Sequence, residues 1–347
     1  MIQQQKAHAL DHPDRQLEGS AVDYVLDPAD MEAINAHLQG LGWASAGRVV
    51  SAQRISGGNM NMTVRIRSER ASFILKQARP WVVKYPHIPA PVERAAVEAE
   101  FYRIVSPVTG VASHMPHLLA FDPDSSLLWL EDLGETRDLT SLYQAGQMPA
   151  AQCVELTEYL VQLHGIAFPE SRSPLFRNRA MRALNHEHQY DLPLRPENGL
   201  NLDAITPGLS ALAESLKADQ EYCDRVNELG RTYLADGNVL LHGDFFPGSW
   251  LITGRGVVVI DPEFCFLGLR EFDLGVFLAH LEFIHARFLW DAVMENYAGK
   301  VDWPLVRRFA GAEIMRRLIG VAQLPLAADL RAKSAWLELS KELVCAL

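Results

Sequence analysis

The chain has 347 residues, 48% of them hydrophobic, and a formal net charge of -11. That length allows two domains or two lobes, and the acidic balance argues against a general nucleic-acid binder, which would carry a basic face. Cys153, Cys223, Cys265 and Cys345 are far apart with no CxxC pair, which argues against a zinc site and a disulfide framework. No apolar run reaches the roughly 18 residues of a membrane span. The polar N-terminus also lacks the apolar stretch of a secretory signal. A reduced, cytoplasmic protein without a membrane partner is expected.

The first twenty residues are polar and carry no element pattern. Asp27-Pro28-Ala29-Asp30 then opens an N-capped amphipathic helix to about Leu41, with Ile34, Leu38 and Leu41 on one face. Residues 48–55, 62–67 and 71–77 are short runs rich in Val, Ile and Phe, joined by short turns. They read as an antiparallel meander. A helix over residues 91–105 follows, then strands near 118–121 and 127–131 flanking Asp122-Pro123-Asp124. After Asp132-Leu133-Gly134 the texture becomes helical. Residues 150–165, 209–234, 272–289, 304–318 and 333–343 carry helical patterns. Two strands, 249–253 and 256–260, bracket Gly254-Arg255-Gly256, and residues 184–212 read as an irregular excursion. The expectation is an α+β chain with a small antiparallel β lobe carrying one helix, residues 1–131, and a larger, mainly helical lobe, residues 132–347. Ligands favour the cleft at such a junction.

The stretch LLHGDFFPGSWLI places His242, Asp244 and Ser249 among large apolar residues. An unpaired buried carboxylate is costly, so Asp244 calls for a reason. The hairpin that follows ends in VVVIDPEF, which brings Asp261 close to Asp244, with Glu263 two residues on. Carboxylates held close repel unless a cation or a shared proton relieves them, and oxygen-only ligands favour Mg²⁺ over zinc. The spacing matches the phosphoryl-transfer template. In it a loop Asp takes the substrate hydroxyl proton, a residue five positions later holds a metal, and an Asp after the next hairpin holds the metal on the ATP phosphates. Those positions are Asp244, Ser249 and Asp261. Upstream, Lys76 lies on the third strand within reach of phosphates, and Glu98 on the following helix can pair with it. The SGGNMN turn, with Gly57, Gly58, Asn59 and Asn61, offers backbone amides over the phosphates. Glu131 and Leu133 fall at the lobe junction, where an adenine would meet main-chain groups.

Taken together, GGNMNMTVRI, ILKQARPWV, HGDFFPGS, IDPEF, FDLG and MRRLIGVA resemble the aminoglycoside phosphotransferase and choline kinase group of protein-kinase-like enzymes, and within it the methylthioribose kinases. The resemblance covers almost the whole chain. It implies a bilobal protein-kinase-like fold, ATP with Mg²⁺, and phosphorylation of a hydroxyl on a small molecule, and it points toward a homodimer. By that resemblance Asp244 is the base and Asp261 the main Mg²⁺ ligand, with Ser249 or Glu263 assisting. Asp273 accepts hydrogen bonds from the catalytic-loop backbone. Arg316 and Arg317 match paired arginines near a sugar site, and because adjacent helix positions point about 100° apart, one of them is expected to face the cleft. Phe245 and Phe246 depart from the family's Leu-His, and Leu269, Arg270 and Glu271 depart from its rigid turn.

Other features read as structural. His186 and His188 form H-x-H without a third ligand in register, and His164 lies on an apolar helix. Trp250 and Phe264 read as core or cleft wall, and no GxxxxGK[ST] is present. The acceptor is expected to be methylthioribose or a related sugar. Aminoglycoside or choline phosphorylation, and a nucleotide-binding module without turnover, are the alternatives.

Overall fold

The computed structural model describes residues 24–55, 60–145 and 147–346. The polar first twenty residues and the turn holding Gly57, Gly58 and Asn59 lie outside the described residues. Helix α1, Met31–Gly40, starts where the Asp30 carboxylate accepts from the Ala33 amide at 2.9 Å, and it buries Ile34 and Leu38. Strands β1, Val49–Arg54, β2, Asn61–Ser68, and β3, Ser72–Ala78, form the expected meander. A hairpin not foreseen from the sequence follows: β4, Trp81–Val82, and β5, Tyr85–Pro89. Its prolines and short length hide the strand pattern. Helix α2, Arg94–Val105, then leads to β6, Leu118–Asp122, and β7, Leu127–Glu131.

The five-stranded sheet runs β1-β2-β3-β7-β6, antiparallel throughout. Side chains alternate across it. Val64, Ile66, Phe73, Leu75, Leu127 and Trp129 pack with Ile34 and Leu38 of α1 in one core. Ile74 and Lys76 therefore face the opposite side, toward the second lobe. Lys76 sits in mid-sheet, opposite Thr63 on β2 and Leu128 on β7, so its backbone is fixed from both sides.

The second lobe contains α3, Ala150–His164, α4, Arg179–His186, α5, Leu209–Lys217, and α6, Gln220–Leu234. Next come β8, Val239–Leu241, β9, Trp250–Thr253, β10, Gly256–Val259, and β11, Phe266–Gly268. Helices α7, Arg270–Phe283, α8, Trp290–Asn296, α9, Trp303–Ile319, and α10, Leu330–Cys345, complete it. Three differences from the sequence expectation have local causes. The 209–234 run is two helices, because the Asp219 side chain caps a new one through the Tyr222 amide at 3.1 Å. The 272–289 run stops at Phe283, and His285 adopts left-handed backbone at φ 56°. Strands β8 and β11, three residues each, pair Leu240 with Leu267 and are too short to show periodicity. Helix α4 was not foreseen from the sequence, and only its last three residues, 184–186, enter the stretch expected to be irregular. Among the described residues no helix is long and apolar enough to cross a membrane.

Candidate active site

A cleft of about 960 Å³ opens between the sheet and the helical lobe, and Lys76, Glu131, Leu133, Asp244, Ser249, Asp261, Glu263, Arg316 and Arg317 all border it. The backbone of the loop that carries Asp244 is held first. The amides of His242 and Gly243 donate to the two oxygens of Asp273, at 2.7 and 3.0 Å. Asp273 also takes His164 Nε2 at 3.2 Å, and His164 Nδ1 meets the Tyr297 hydroxyl at 2.8 Å. His164 is thus a buried support for the loop. His242 donates from Nε2 to the Ile260 carbonyl at 3.0 Å, tying the loop to the end of β10. Burial lowers its pKa against the pull of Asp273, Asp244 and the Ile260 carbonyl, so the neutral ring bridges the two segments. Gly243 has φ +86°, and a Cβ there would lie 2.2 Å from the Phe264 carbonyl oxygen; only glycine fits.

On the sheet side, Lys76 Nζ donates to Glu98 at 2.8 Å and to Asp261 at 2.9 Å. Lys76 is 2% exposed, whereas the Asp261 side chain is 40% exposed toward the cleft. Burial alone would lower the ammonium's pKa, but Asp261, Glu98 and Glu263 together hold it above its ordinary value. Burial, with Asp261 and Glu263 nearby, pushes Glu98 up to about 7 against the pull of Lys76. Asp261 itself adopts left-handed backbone, φ 60°, a conformation Asp tolerates better than most residues and one that clusters at functional sites. Glu98 is the partner of Lys76; Glu100, two residues on, pairs with Arg172 of the helical lobe and with Arg103.

One expected nucleotide contact is placed differently. Asn61 does not border the cleft. Its Nδ2 donates to Glu263 Oε2 at 2.7 Å and its Oδ1 accepts from Arg94 Nε at 3.0 Å, which makes it a buried clasp between the lobes. Glu131 borders the cleft as expected, and its amide donates to the His117 carbonyl at 2.9 Å. Asp132 beside it is gripped by Arg65 of β2, Nε to Oδ2 at 3.0 Å, fixing the segment that joins the lobes.

The end of the cleft around Asp244 corrects the expectation for the paired arginines. Both reach Asp244 Oδ1, Arg317 Nη2 at 3.2 Å and Arg316 Nη2 at 3.6 Å. Both also donate from Nε to Glu313, Arg317 at 2.7 Å. Sequence reasoning missed Glu313, although its spacing of three and four residues before the arginines puts all three on one helix face. The Arg317 guanidinium lies 4.5 Å from the centroid of Phe246, so this residue, standing where a histidine was expected, forms a wall beneath the cation. Phe245 is fully buried against Tyr159, Trp250 and Phe277. The Asp244 side chain is 24% exposed. Its burial raises the carboxyl pKa above the usual range, opposed by Arg317 and Arg316 and assisted by Glu313.

Asp261 and Ser249, both bordering the cleft, offer oxygen donors of the kind a hard cation takes. Ser249 lies close by with its hydroxyl donating to the Asp244 carbonyl at 2.9 Å, which leaves its oxygen lone pairs for a metal. Glu263 Oε2 is already engaged by Asn61 and, at 3.4 Å, by Arg94. Among the described residues no group of three or more His, Cys, Asp or Glu converges to hold a metal. An ion here would take much of its shell from phosphates and water, as Mg²⁺ does. His188 Nδ1 meets the Leu184 carbonyl at 2.9 Å.

Residues 51–309 match the profile described as the phosphotransferase enzyme family. Over 244 residues the chain is 28% identical to a methylthioribose kinase of Exiguobacterium sibiricum, covering 67% of this chain and 61% of that one. A methylthioribose kinase of Bacillus cereus is 24% identical over 357 residues, covering 87% and 89%. The chain thus spans about three fifths of the first curated relatives it matches, at 61%, 60% and 62% of their lengths. Among solved structures, spectinomycin phosphotransferase in complex with ADP and spectinomycin superposes with a TM-score of 0.56 at 14% identity, covering 92% of this chain and 99% of that one. A choline/ethanolamine kinase family protein from Mesorhizobium loti gives 0.51 at 16% identity, covering 91% and 95%. These neighbours share the fold: an antiparallel sheet lobe set on a helical lobe, as in protein-kinase-like phosphotransferases. The chain belongs to the phosphotransferase enzyme family.

Proposed function

We propose that the chain is a small-molecule kinase that transfers the γ-phosphoryl group of ATP, with Mg²⁺, to a hydroxyl of methylthioribose or a related uncharged sugar. The supporting observation is the pairing across one cleft of the Lys76–Asp261 cluster with Asp244 backed by two guanidiniums. Bound Mg²⁺ neutralises charge on the phosphates, and Asp261 with Ser249 would hold it. Lys76, pinned by Glu98, presents its ammonium to the phosphates. Asp244 orients the acceptor hydroxyl and takes its proton as the bond from phosphorus to that oxygen forms and the bond to the ADP oxygen breaks. Positioning and electrostatics supply most of the rate in such a site.

The acceptor class is read from the pairing of the charges at this end of the cleft. Arg316 and Arg317 line the acceptor end beside Phe246, Val321, Ala322 and Leu324. A cationic aminoglycoside or choline would want acidic or aromatic surroundings, whereas here Asp244 and Glu313 are already paired with the two guanidiniums. A neutral polyol with an apolar substituent suits both the remaining N–H donors and the apolar wall. The test is ADP release with methylthioribose, other neutral sugars, an aminoglycoside and choline offered in parallel. Release with a neutral sugar is expected. Release only with a cationic amine would overturn the acceptor class, and nucleotide binding without acceptor-dependent release would overturn the kinase reading.

A further inference from the structure

Adjacent helix positions point about 100° apart, so Arg316 and Arg317 would not both reach one carboxylate unaided. Their like charges also oppose close approach. Glu313, one turn earlier on α9 and 2% exposed, sits between them: Oε2 accepts from Arg316 Nε and Oε1 from Arg317 Nε. Both guanidinium tips then extend to the same atom, Asp244 Oδ1. Glu313 is itself held from α7, where His280 Nε2 meets its Oε1 at 3.0 Å. His280 Nδ1 meets the Tyr143 hydroxyl at 2.6 Å, on the helical turn Leu142–Ala145.

The chemistry of the chain fixes its direction. Burial would raise the Glu313 pKa, but Arg316 and Arg317, and then His280, hold it well below the usual range, so it is ionised and only accepts. His280 must then carry its proton on Nε2 and accept from Tyr143 on Nδ1. The result is a buried run of hydrogen bonds from Tyr143 through His280, Glu313 and Arg317 to Asp244, with Phe246 packed against both Arg317 and His280. The two arginines and two carboxylates balance in charge.

Resting on the kinase reading, we propose that Glu313 is a positioning residue of phosphoryl transfer: it turns both guanidiniums side-on, so that they share Asp244 Oδ1 and leave Oδ2 for the acceptor hydroxyl, and the Tyr143–His280 pair holds Glu313 in that pose. Without the Glu313 charge each guanidinium is able to turn its fork onto Asp244 and take both oxygens, which is the geometry arginine and carboxylate prefer. Neither Glu313, His280 nor Tyr143 touches the reacting atoms in this role.

The experiment compares wild type, Glu313→Gln, Tyr143→Phe and the double variant in steady-state kinetics. Glu313→Gln keeps the side-chain shape and is expected to lower kcat on the order of tenfold to a hundredfold, the scale of a small misplacement at a reacting group. KM for ATP is expected to stay unchanged, because the Lys76–Asp261 end is not disturbed. Tyr143→Phe removes one hydroxyl and should lower kcat less, and the double variant should be no slower than Glu313→Gln alone. A crystal structure of Glu313→Gln should show a guanidinium moved onto both Asp244 oxygens. Unchanged kcat in Glu313→Gln, additive losses in the double variant, or a matching rise in KM for ATP would overturn the proposal. Should Glu313→Gln fail to fold, an unchanged kcat in Tyr143→Phe overturns it instead. A wild-type chain that releases no ADP defeats the kinase reading, whereas an active wild type with an equally active Glu313→Gln defeats this inference alone.

Discussion

Asp244→Asn keeps the shape of the side chain and its contact with Arg317 but removes the proton acceptor. The kinase reading predicts a fall in kcat of roughly 10²- to 10⁴-fold, the usual contribution of a general base, measured as acceptor-dependent ADP release. Gly243→Ala has a different cause. The alanine Cβ would meet the Phe264 carbonyl at 2.2 Å in a left-handed conformation. The expected loss is about 1–3 kcal/mol from the backbone alone, read by denaturant unfolding. His280 gives a pH signature. Burial lowers its pKa to about 4 from 6.5. Between those values acid protonates the unfolded chain but not the folded one, so the stability present above pH 6.5 is lost as pH falls toward 4, up to roughly 3 kcal/mol. Glu98, raised to about 7, has the opposite sign, because its stabilising effect weakens as pH rises from 4.5 toward 7. The His280 contribution is therefore the difference in pH slope between wild type and His280→Gln, and equal slopes would contradict it. Asp244, Asp261 and Lys76 were legible in the sequence because the order and spacing of three motifs carried them. Glu313 was missed although E-x-x-R-R sets it one turn before the arginines, because a single helical glutamate reads as surface until its burial is seen. Asn61 was misplaced because a polar residue after a glycine turn suggests a ligand contact, and only the fold brings Arg94 and Glu263 to it.

Among the elements, the meander, α1, α3, α9 and α10 follow hydrophobic period and capping, and these signals sit in the chain itself. What stayed hidden depends on single caps or on pairing across the chain. The 209–234 stretch keeps its helical period through Ala218, but the Asp219 cap divides it. Asp219→Ala should cost about 1 kcal/mol, measured by denaturant unfolding, with an added contribution from its lost partner Lys341. Arg94 at the start of α2 donates to Asn61 and to the carbonyls of Met60, Arg79 and Pro91 while fully buried. The strands β8 and β11 pair across the Asp244 loop and the β9–β10 hairpin that lie between them in the chain, which no local pattern records.

For the molecule as a whole, some of the polar side chains that cross between the lobes lie at or beside the cleft. Lys76 reaches Asp261, Asn61 and Arg94 reach Glu263, and Glu131 meets Arg255 at 3.3 Å. A ligand that occupies the cleft therefore stabilises both halves at once. ADP with Mg²⁺ at a hundred times its Kd should add about 2.7 kcal/mol, seen as a rise in Tm, and Lys76→Met should abolish most of that rise. The most direct test of the central claim is product stoichiometry with methylthioribose, following ADP and the phosphorylated sugar together in wild type and Asp244→Asn. The account predicts one phosphomonoester per ADP from wild type and little of either from the variant. ADP accompanied only by inorganic phosphate, or equal yields from both proteins, would contradict it.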